Sequence, residues 1–281
     1  MFNPSRSSLF VAGLTAALGL GACSSDDVDD VEMRVALDEA IASGEAQGAE
    51  TDLLDLTTNE GDPPDGAPTR GRLRGPGLRD HMRGLIASQL PCSTLEDLGE
   101  NTLRITFGTA ERPCTFRESS WSGVVTVSYE STDDATIITH AYDGVTNGKV
   151  QFDGTSEVTR TDEQRHIVNE FTFQGRRGTF SSSSDRIHTP MPGGLGVHID
   201  GTRDVERPTG IAHVDIIEVE IARGDVVPQD GSYVRTAPDG REMTMTFARL
   251  DADTIEVTIV GGRHDRVFEV DAGGRIHDRR R

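Results

Sequence analysis

Basic residues are scarce in this 281-residue sequence. It has 28 Lys and Arg against 47 Asp and Glu, for a formal net charge of −19, and Lys149 is its single lysine. Because nucleic-acid binding depends on basic side chains that neutralise phosphates, this balance argues against nucleic acid as a partner. The sequence also lacks the Gly-x-Ser-x-Gly and Gly-x-x-x-x-Gly-Lys motifs, which are the usual signatures of nucleophilic and nucleotide chemistry.

Long apolar runs are missing as well, apart from one at the N-terminus. That run, Leu9 to Leu20, covers 12 residues, whereas a membrane-spanning helix needs about 20. The sequence therefore excludes a multi-span membrane protein. Hydrophobic residues make up 35% of the chain, which together with 31 glycines is an ordinary globular share that allows a packed core.

Residues 1–22 are organised as a secretory signal peptide, with a positively charged start that includes Arg6, followed by the apolar run. The motif Leu20-Gly21-Ala22-Cys23 resembles the lipobox of bacterial lipoproteins. The resemblance implies a diacylglycerol on the sulfur of Cys23, cleavage before this residue, and acylation of the new amine. Two or three acyl chains would anchor the protein firmly in a membrane. The alternative is a conventional secretory signal with a chance cysteine.

The residue after Cys23 bears on which membrane is used. In Gram-negative lipoproteins an Asp at this place favours the inner membrane, and the present chain has Ser24 there. The resemblance therefore implies an outer-membrane lipoprotein that faces the periplasm or the cell surface.

The two remaining cysteines, Cys92 and Cys114, are predicted to pair as a disulfide, because the chain is sent to an oxidising compartment. The alternative is two free buried thiols. Neither cysteine has a neighbouring His or Asp in the sequence, which a catalytic thiol would need.

Acidic residues are concentrated just after Cys23. Residues 24–66 contain 14 acidic residues and one basic residue, and Pro and Gly are dense over 57–77. We interpret 23–77 as an acidic tether with a Pro/Gly-rich linker. Within it, the spacing of Met33, Leu37 and Ile41 predicts a short helix over about 31–42, which ends near Gly44.

The remaining residues, 78–281, are predicted to form a β-rich domain preceded by a covering helix at 78–90. Packing on the domain is favoured for this helix over a membrane-surface role that would use Arg79 and Arg83. Beyond it, apolar and polar residues alternate as in one-sided strands, for example at Leu103-x-Ile105 and Met243-x-Met245. The fold class is therefore all-β, an antiparallel meander of about a dozen strands that forms a sandwich or an open barrel.

The predicted strand region also contains sequence signals for turns and for one β-bulge. Six Asp-Gly or Asn-Gly pairs are predicted to form hairpin turns, namely 143–144, 147–148, 153–154, 200–201, 230–231 and 239–240. The alternation slips at Ile216-Ile217, which predicts a β-bulge. Residues 150–160 and 197–207 share six identities in eleven positions, by duplication of a small β unit or by convergence of turn chemistry.

No set of catalytic, cofactor-binding or metal-ligating residues stands out. The histidines lack metal-site spacing, so we expect solvent-facing strand histidines, although His140, His198 and His213 could form a spatial cluster. The pairs Asp133/Asp134 and Asp251/Asp253, the tripeptide Arg223-Gly224-Asp225 and the run Ser181–Ser184 are interpreted as turns or loops. No cofactor is expected.

A stretch of about 50 residues resembles segments of secreted, β-rich bacterial lipoproteins without an established activity. The resemblance rests on Phe107-Gly108-Thr109, Cys114, residues 123–129, residues 136–138 and Gly154-Thr155. Three classes of function compete: a non-catalytic envelope module that contacts other proteins or wall polymers, a periplasmic carrier of a lipid or other apolar ligand, and an enzyme. The first is favoured, because the anchor, tether and sheet account for nearly all informative residues.

Overall fold

The computed structural model describes residues 28–58, 76–99, 101–116, 119–132, 134–176, 178–192, 196–262 and 264–278. The predicted signal peptide, Cys23 and most of the predicted linker at 57–77 lie outside the described residues. In the described part, two helices are followed by fifteen strands.

The elements follow one another in a simple order. The helices are α1 (Asp30–Thr58) and α2 (Pro76–Gln89). The strands are β1 (Thr94–Gly99), β2 (Thr102–Thr106), β3 (Cys114–Phe116), β4 (Ser119–Ser131), β5 (Thr136–Thr146), β6 (Val150–Arg160), β7 (Arg165–Gly175), β8 (Gly178–Pro190), β9 (Gly196–Arg207), β10 (Gly210–Ala222), β11 (Asp230–Thr236), β12 (Glu242–Arg249), β13 (Thr254–Gly261), β14 (His264–Asp271) and β15 (Ile276–Asp278).

All strands belong to one antiparallel meander. The order runs from β1 and β2 through β4 to β15 with each strand beside the next in sequence, while β3 pairs with β4. The predicted all-β meander is confirmed, and the sheet is not closed into a barrel. The alternation that predicted the strands also gives their burial, with Leu103 and Ile105 fully buried and Arg104 exposed between them.

The helix α1 differs most from expectation. It spans 29 residues and begins with a capping box, in which the Glu32 amide donates to the Asp29 carboxylate at 2.8 Å and the Asp29 amide donates to the Glu32 carboxylate at 3.1 Å. Nearly all of its side chains beyond Asp38 are buried. The predicted helix over 31–42 is present but continues to Thr58, and the tether interpretation is wrong for α1, because this helix packs on the sheet.

Gly44 does not end α1. A Cβ atom added at Gly44 would lie 1.9 Å from the carbonyl oxygen of Val226, in the loop between β10 and β11. The glycine is needed because the backbone of this loop crosses the helix too closely for a side chain. The helix then continues to Thr58.

Two apolar clusters make up the core, and α1 contributes to both. Its first half packs against β9–β15 through residues such as Leu37 and Ile41, and its second half packs against α2 and β2–β9 through residues such as Leu53. The helix α2 buries Met82 and Ile86 in the cluster that contains the second half of α1 and strands β2–β9. Its predicted role as a covering helix is therefore confirmed. Neither described helix is both long and apolar enough to cross a membrane.

The bulge predicted at Ile216-Ile217 is confirmed, with a register shift between Ile216 and Val219 and a positive φ of 49° at Glu218. The hairpin prediction for the Asp-Gly and Asn-Gly pairs is right for Asn147-Gly148 and Asp239-Gly240. It is wrong for the other four pairs, which lie within β5, β6, β9 and β11. There the glycines provide a close approach between strand backbones or a positive φ at a bulge.

Candidate functional site

Three acidic side chains of α1, Glu39, Glu50 and Asp55, are buried where the helix faces the sheet. A buried carboxylate is costly unless it is paired and hydrogen-bonded. Each of the three meets arginine side chains that project from the sheet. We define these contacts as the α1–sheet charge cluster.

Glu50 lies in a closed ring of hydrogen bonds. Arg186 donates to its carboxylate at 2.8 Å, and Asn169 donates to its two oxygens at 2.9 and 3.0 Å. Ser184 closes the ring, since it donates to Asn169 at 2.8 Å and accepts from Arg186 at 2.8 Å. A third residue, Ser156, donates to Glu50 at 3.3 Å. The ring joins α1 to β7 and β8, and its satisfied polar groups favour one position of the helix.

Glu39 and its two arginines form the second contact. Arg235 on β11 donates to the Glu39 carboxylate at 3.0 Å, and Arg207 on β9 donates at 3.4 Å. The Glu39 side chain is 6% exposed, whereas Arg207 reaches solvent in part. This contact ties the first half of α1 to the second half of the sheet.

Asp55 forms the third contact, near the C-terminal end of α1. Arg165 on β7 lies 3.2 Å from its carboxylate, and Arg223, just after β10, lies 3.4 Å from it. Burial lowers the pKa of Arg165, and the nearby Asp55 opposes that shift. The carboxylate therefore stabilises a guanidinium that has little access to water.

Two further buried basic groups lie on the same face of the sheet. The Arg203 guanidinium lies over the Tyr233 ring, 5.5 Å from its centroid, and burial lowers the pKa of Arg203. Burial lowers the pKa of His188 well below its ordinary value, and Arg186 and Arg165 add to this effect. His188 is therefore neutral in the folded chain at neutral pH.

A smaller polar contact lies where α1 ends. The Thr57 hydroxyl donates to the Leu53 carbonyl at 2.8 Å, so it accepts from Nε2 of His140, also at 2.8 Å. Tyr129 donates to the Thr57 carbonyl at 3.3 Å. Burial lowers the pKa of His140 to about 3 and raises that of Tyr129. Both side chains are uncharged at neutral pH and hold the helix end on the sheet.

Chemically, these arrangements hold α1 in place. Each buried acid is opposed by arginine, and the groups whose pKa is lowered by burial, such as His140, His188 and Arg203, lie inside. Within the described ranges, no group of three or more His, Cys, Asp or Glu could hold a metal ion.

The predicted site residues are placed as follows. Cys23 lies outside the described residues. Cys92 and Cys114 are at disulfide distance, with Cα atoms 5.6 Å apart. This pair joins the turn after α2 to β3, so it fastens the covering helix to the first strands.

The suggested histidine cluster does not form. His140 is buried and faces α1, whereas His198 and His213 lie on the opposite, outer face of the sheet. On that face His213 contacts Asp204 at 2.6 Å, and this contact raises the pKa of His213. The expectation of solvent-facing strand histidines is wrong for His140 and His188, which are both buried, and Thr57 provides a partner for His140 inside.

The other motifs have structural positions. The run Ser181–Ser184 lies within β8, so the loop interpretation is wrong, and Ser182 and Ser184 are buried. Asp251 accepts from the amides of Asp253 and Thr254 in a turn, as expected. The tripeptide at 223–225 also forms a turn after β10.

Sequence reasoning missed the α1–sheet charge cluster. One signal was present in β8, where Phe180, Ser182, Ser184, Arg186 and His188 alternate with exposed residues and so share the inner face. An arginine at an apolar-face position implies a buried acidic partner. The sequence contains 47 acidic residues, so the partner could not be identified from this pattern alone.

Comparisons with known proteins add no relatives. No family model matches the chain, and no curated protein or solved structure matches it.

Proposed function

We propose that this protein is a lipoprotein of the bacterial cell envelope, anchored in the outer membrane by acyl chains on Cys23. Its sheet serves as a non-catalytic structural or interaction module that contacts envelope proteins or wall polymers. The lipobox-like Leu20-Gly21-Ala22-Cys23 supports the anchor, and Ser24 supports the outer membrane. The pair Cys92 and Cys114 fits an oxidising compartment.

The observation that carries the proposal is the occupancy of the sheet's inner face. A carrier of apolar ligands needs a cavity there, typically of about 300 Å³ or more. Here α1 lies on that face, with Leu37, Ile41 and Leu53 at no more than 1% exposure. The three buried acids fix the helix further through arginines of the sheet. This arrangement favours a module with a solid interior over a carrier.

The outer face of the sheet is the surface left for partners. Around β7–β10 it presents exposed pairs of acidic and histidine side chains, His166 with Asp185 at 2.6 Å and His213 with Asp204 at 2.6 Å. The same face also exposes Val168 and Ile187, so it offers both polar and apolar contacts to proteins or to hydroxyl-rich polymers. It supports the interaction role.

The anchor is tested by the mass of the mature N-terminal peptide and by phase partitioning. We expect a peptide that begins at Cys23 and carries diacylglycerol and an amide-linked acyl chain. The matched variant Cys23→Ala should leave the membrane fraction. A wild-type protein that is recovered in the aqueous phase would contradict the proposal.

The choice between module and carrier is tested by solvent extraction of the purified, folded protein. We expect no stoichiometric extractable lipid, because covalent acyl chains stay with the polypeptide. One extractable lipid per chain would favour the carrier instead.

A further inference from the structure

The predicted lipid site is five residues along the chain from Val28, where the described residues begin. Val28 is 1% exposed, and a Cβ atom added at Gly261 would lie 2.7 Å from the Val28 Cβ. Five residue steps separate Cys23 from Val28, and at about 3.6 Å per step they span at most ~18 Å. Acyl chains on Cys23 would therefore hold the end of the sheet that carries Gly261 near the membrane surface.

This same end carries exposed apolar side chains. Val31 and Val35, four residues apart on the first turns of α1, are 69% and 53% exposed. Val260 on β13 adjoins Gly261, and Ile211 follows Gly210, which approaches Pro238 in the next turn along this edge. Ile211 and Val260 lie on the outer face of the sheet, whereas Val31 and Val35 lie on α1, so we define Val31 and Val35 as the anchor-end patch.

Two acidic residues near the start of α1, Asp30 and Glu32, have basic partners. Asp30 pairs with Arg266 at 2.5 Å, and Glu32 pairs with Arg241, which also contacts Asp239. Paired carboxylates repel an anionic surface less than bare ones do, because the net charge of each pair is small. Pairing of Asp30 and Glu32 therefore reduces the net negative charge at this end of the protein.

We propose that the anchor-end patch contacts the lipid surface into which the acyl chains of Cys23 insert, so that the sheet has one fixed orientation on the membrane. This inference rests on the proposed lipidation. The short distance to the anchor identifies the occupant as lipid, since few other surfaces could compete at that position. The β12–β13 turn, with Leu250, then points away from the membrane, about 23 Å along β13 from Gly261.

The test compares tryptophans at the two ends of the sheet. Full-length lipidated protein carrying Val31→Trp is reconstituted in phosphatidylethanolamine and phosphatidylglycerol vesicles with brominated acyl chains, which quench nearby indoles. Leu250→Trp is the matched control, because Leu250 is also exposed, at 48%. The native Trp121 is fully buried and gives the same background in both variants.

We expect Val31→Trp to lose most of its added emission in the vesicles, with a blue shift, while Leu250→Trp keeps its own. Equal quenching of the two variants, or none in either, in protein that floats with the vesicles would overturn the orientation and leave the lipid anchor intact. Protein that does not float would overturn the lipid anchor and the orientation with it. Both positions are exposed, and a far-UV circular dichroism spectrum checks that each variant is folded.

Discussion

Replacement of Glu50 by Gln is the sharpest probe of how α1 is held. The change keeps the size of the side chain and removes its charge. Glu50 and Arg186 are each 3% exposed and 2.8 Å apart. In Glu50→Gln the Arg186 guanidinium would stay buried without its counter-charge, and an amide NH₂ would face the NH₂ of Asn169.

The expected loss is large relative to the stability of a typical domain. Removing one partner of a buried ion pair costs about 3–5 kcal/mol, and folded domains are stable by about 5–15 kcal/mol in total. Ion pairs exposed to solvent contribute about 0–1 kcal/mol. The two cases therefore differ by several kcal/mol, which equilibrium unfolding resolves.

The same helix offers a matched control. Glu45, itself 13% exposed, lies 3.9 Å from Arg176, whose side chain is 75% exposed, so the ion pair is accessible to solvent. We expect Glu45→Gln to lower the free energy of unfolding by less than about 1 kcal/mol. Urea unfolding, followed by the fluorescence of Trp121 and by far-UV circular dichroism, measures both variants, and coincident curves check for two-state behaviour.

A double variant separates the loss of the pair from damage to packing. The double variant Glu50→Leu/Arg186→Met retains neither charge. Its loss of unfolding free energy should therefore be smaller than the sum of the losses in the two single variants. A loss below about 1 kcal/mol for Glu50→Gln would refute the reasoning. Full additivity in the double variant would refute it as well.

Three further predictions follow from other contacts. Gly44→Ala should lower the free energy of unfolding by about 1–3 kcal/mol, because its Cβ would meet a backbone carbonyl. The control Gly48→Ala, whose Cβ would have nothing within 4 Å, should raise it by up to about 1 kcal/mol through helix propensity. The urea midpoints of the two variants compare these effects. His140 is neutral when folded, with a pKa of about 3 against 6.5 for the free side chain. Its contribution to the free energy of unfolding is therefore complete above pH 6.5 and falls by up to about 1.4 kcal/mol per pH unit as the pH falls toward 3. Urea unfolding across this range should show a free energy of unfolding that depends less on pH in His140→Gln than in the wild type. Non-reducing peptide mapping should give one linked peptide with Cys92 and Cys114, and two alkylatable thiols would contradict the pairing; reduction should cost about 3 kcal/mol.

The strands could be predicted from sequence because their signal is local. Residues two apart share a face, so Met243, Met245 and Phe247 mark the buried side of β12 without knowledge of the rest of the chain. The bulge at Ile216-Ile217 was predictable for the same reason, since a bulge shifts the alternation by one residue.

The burial of α1 could not be predicted in this way. Its acidic side chains indicate solvent when only neighbouring residues are considered. The residue that makes Glu50 tolerable inside, Arg186, lies 136 positions further along the chain. The predicted helix end near Gly44 was wrong for a related reason. A glycine near a helix end usually marks a C-cap, whereas Gly44 is needed where the β10–β11 loop crosses α1.

The two similar segments, 150–160 and 197–207, each place an Asp-Gly-Thr sequence beside a β-bulge of a neighbouring strand. Asp153 on β6 accepts from the amide of Gly144 at 2.5 Å, and Asp200 on β9 accepts from the amide of Glu218 at 2.8 Å. In both cases the donor has a positive φ, 56° and 49°, at a bulge of the neighbouring strand.

The arrangement around the two copies is reversed, however. In the first copy the bulge is on the preceding strand, β5, and a Cβ at Gly154 would meet the backbone of the following strand, β7. In the second copy the bulge is on the following strand, β10, and a Cβ at Gly201 would meet the preceding strand, β8. Duplication of a unit would have kept each neighbour on its own side. The reversal therefore favours convergence. A bulge whose backbone amide needs a side-chain acceptor, beside a strand that passes too closely for a side chain, selects Asp-Gly wherever it occurs.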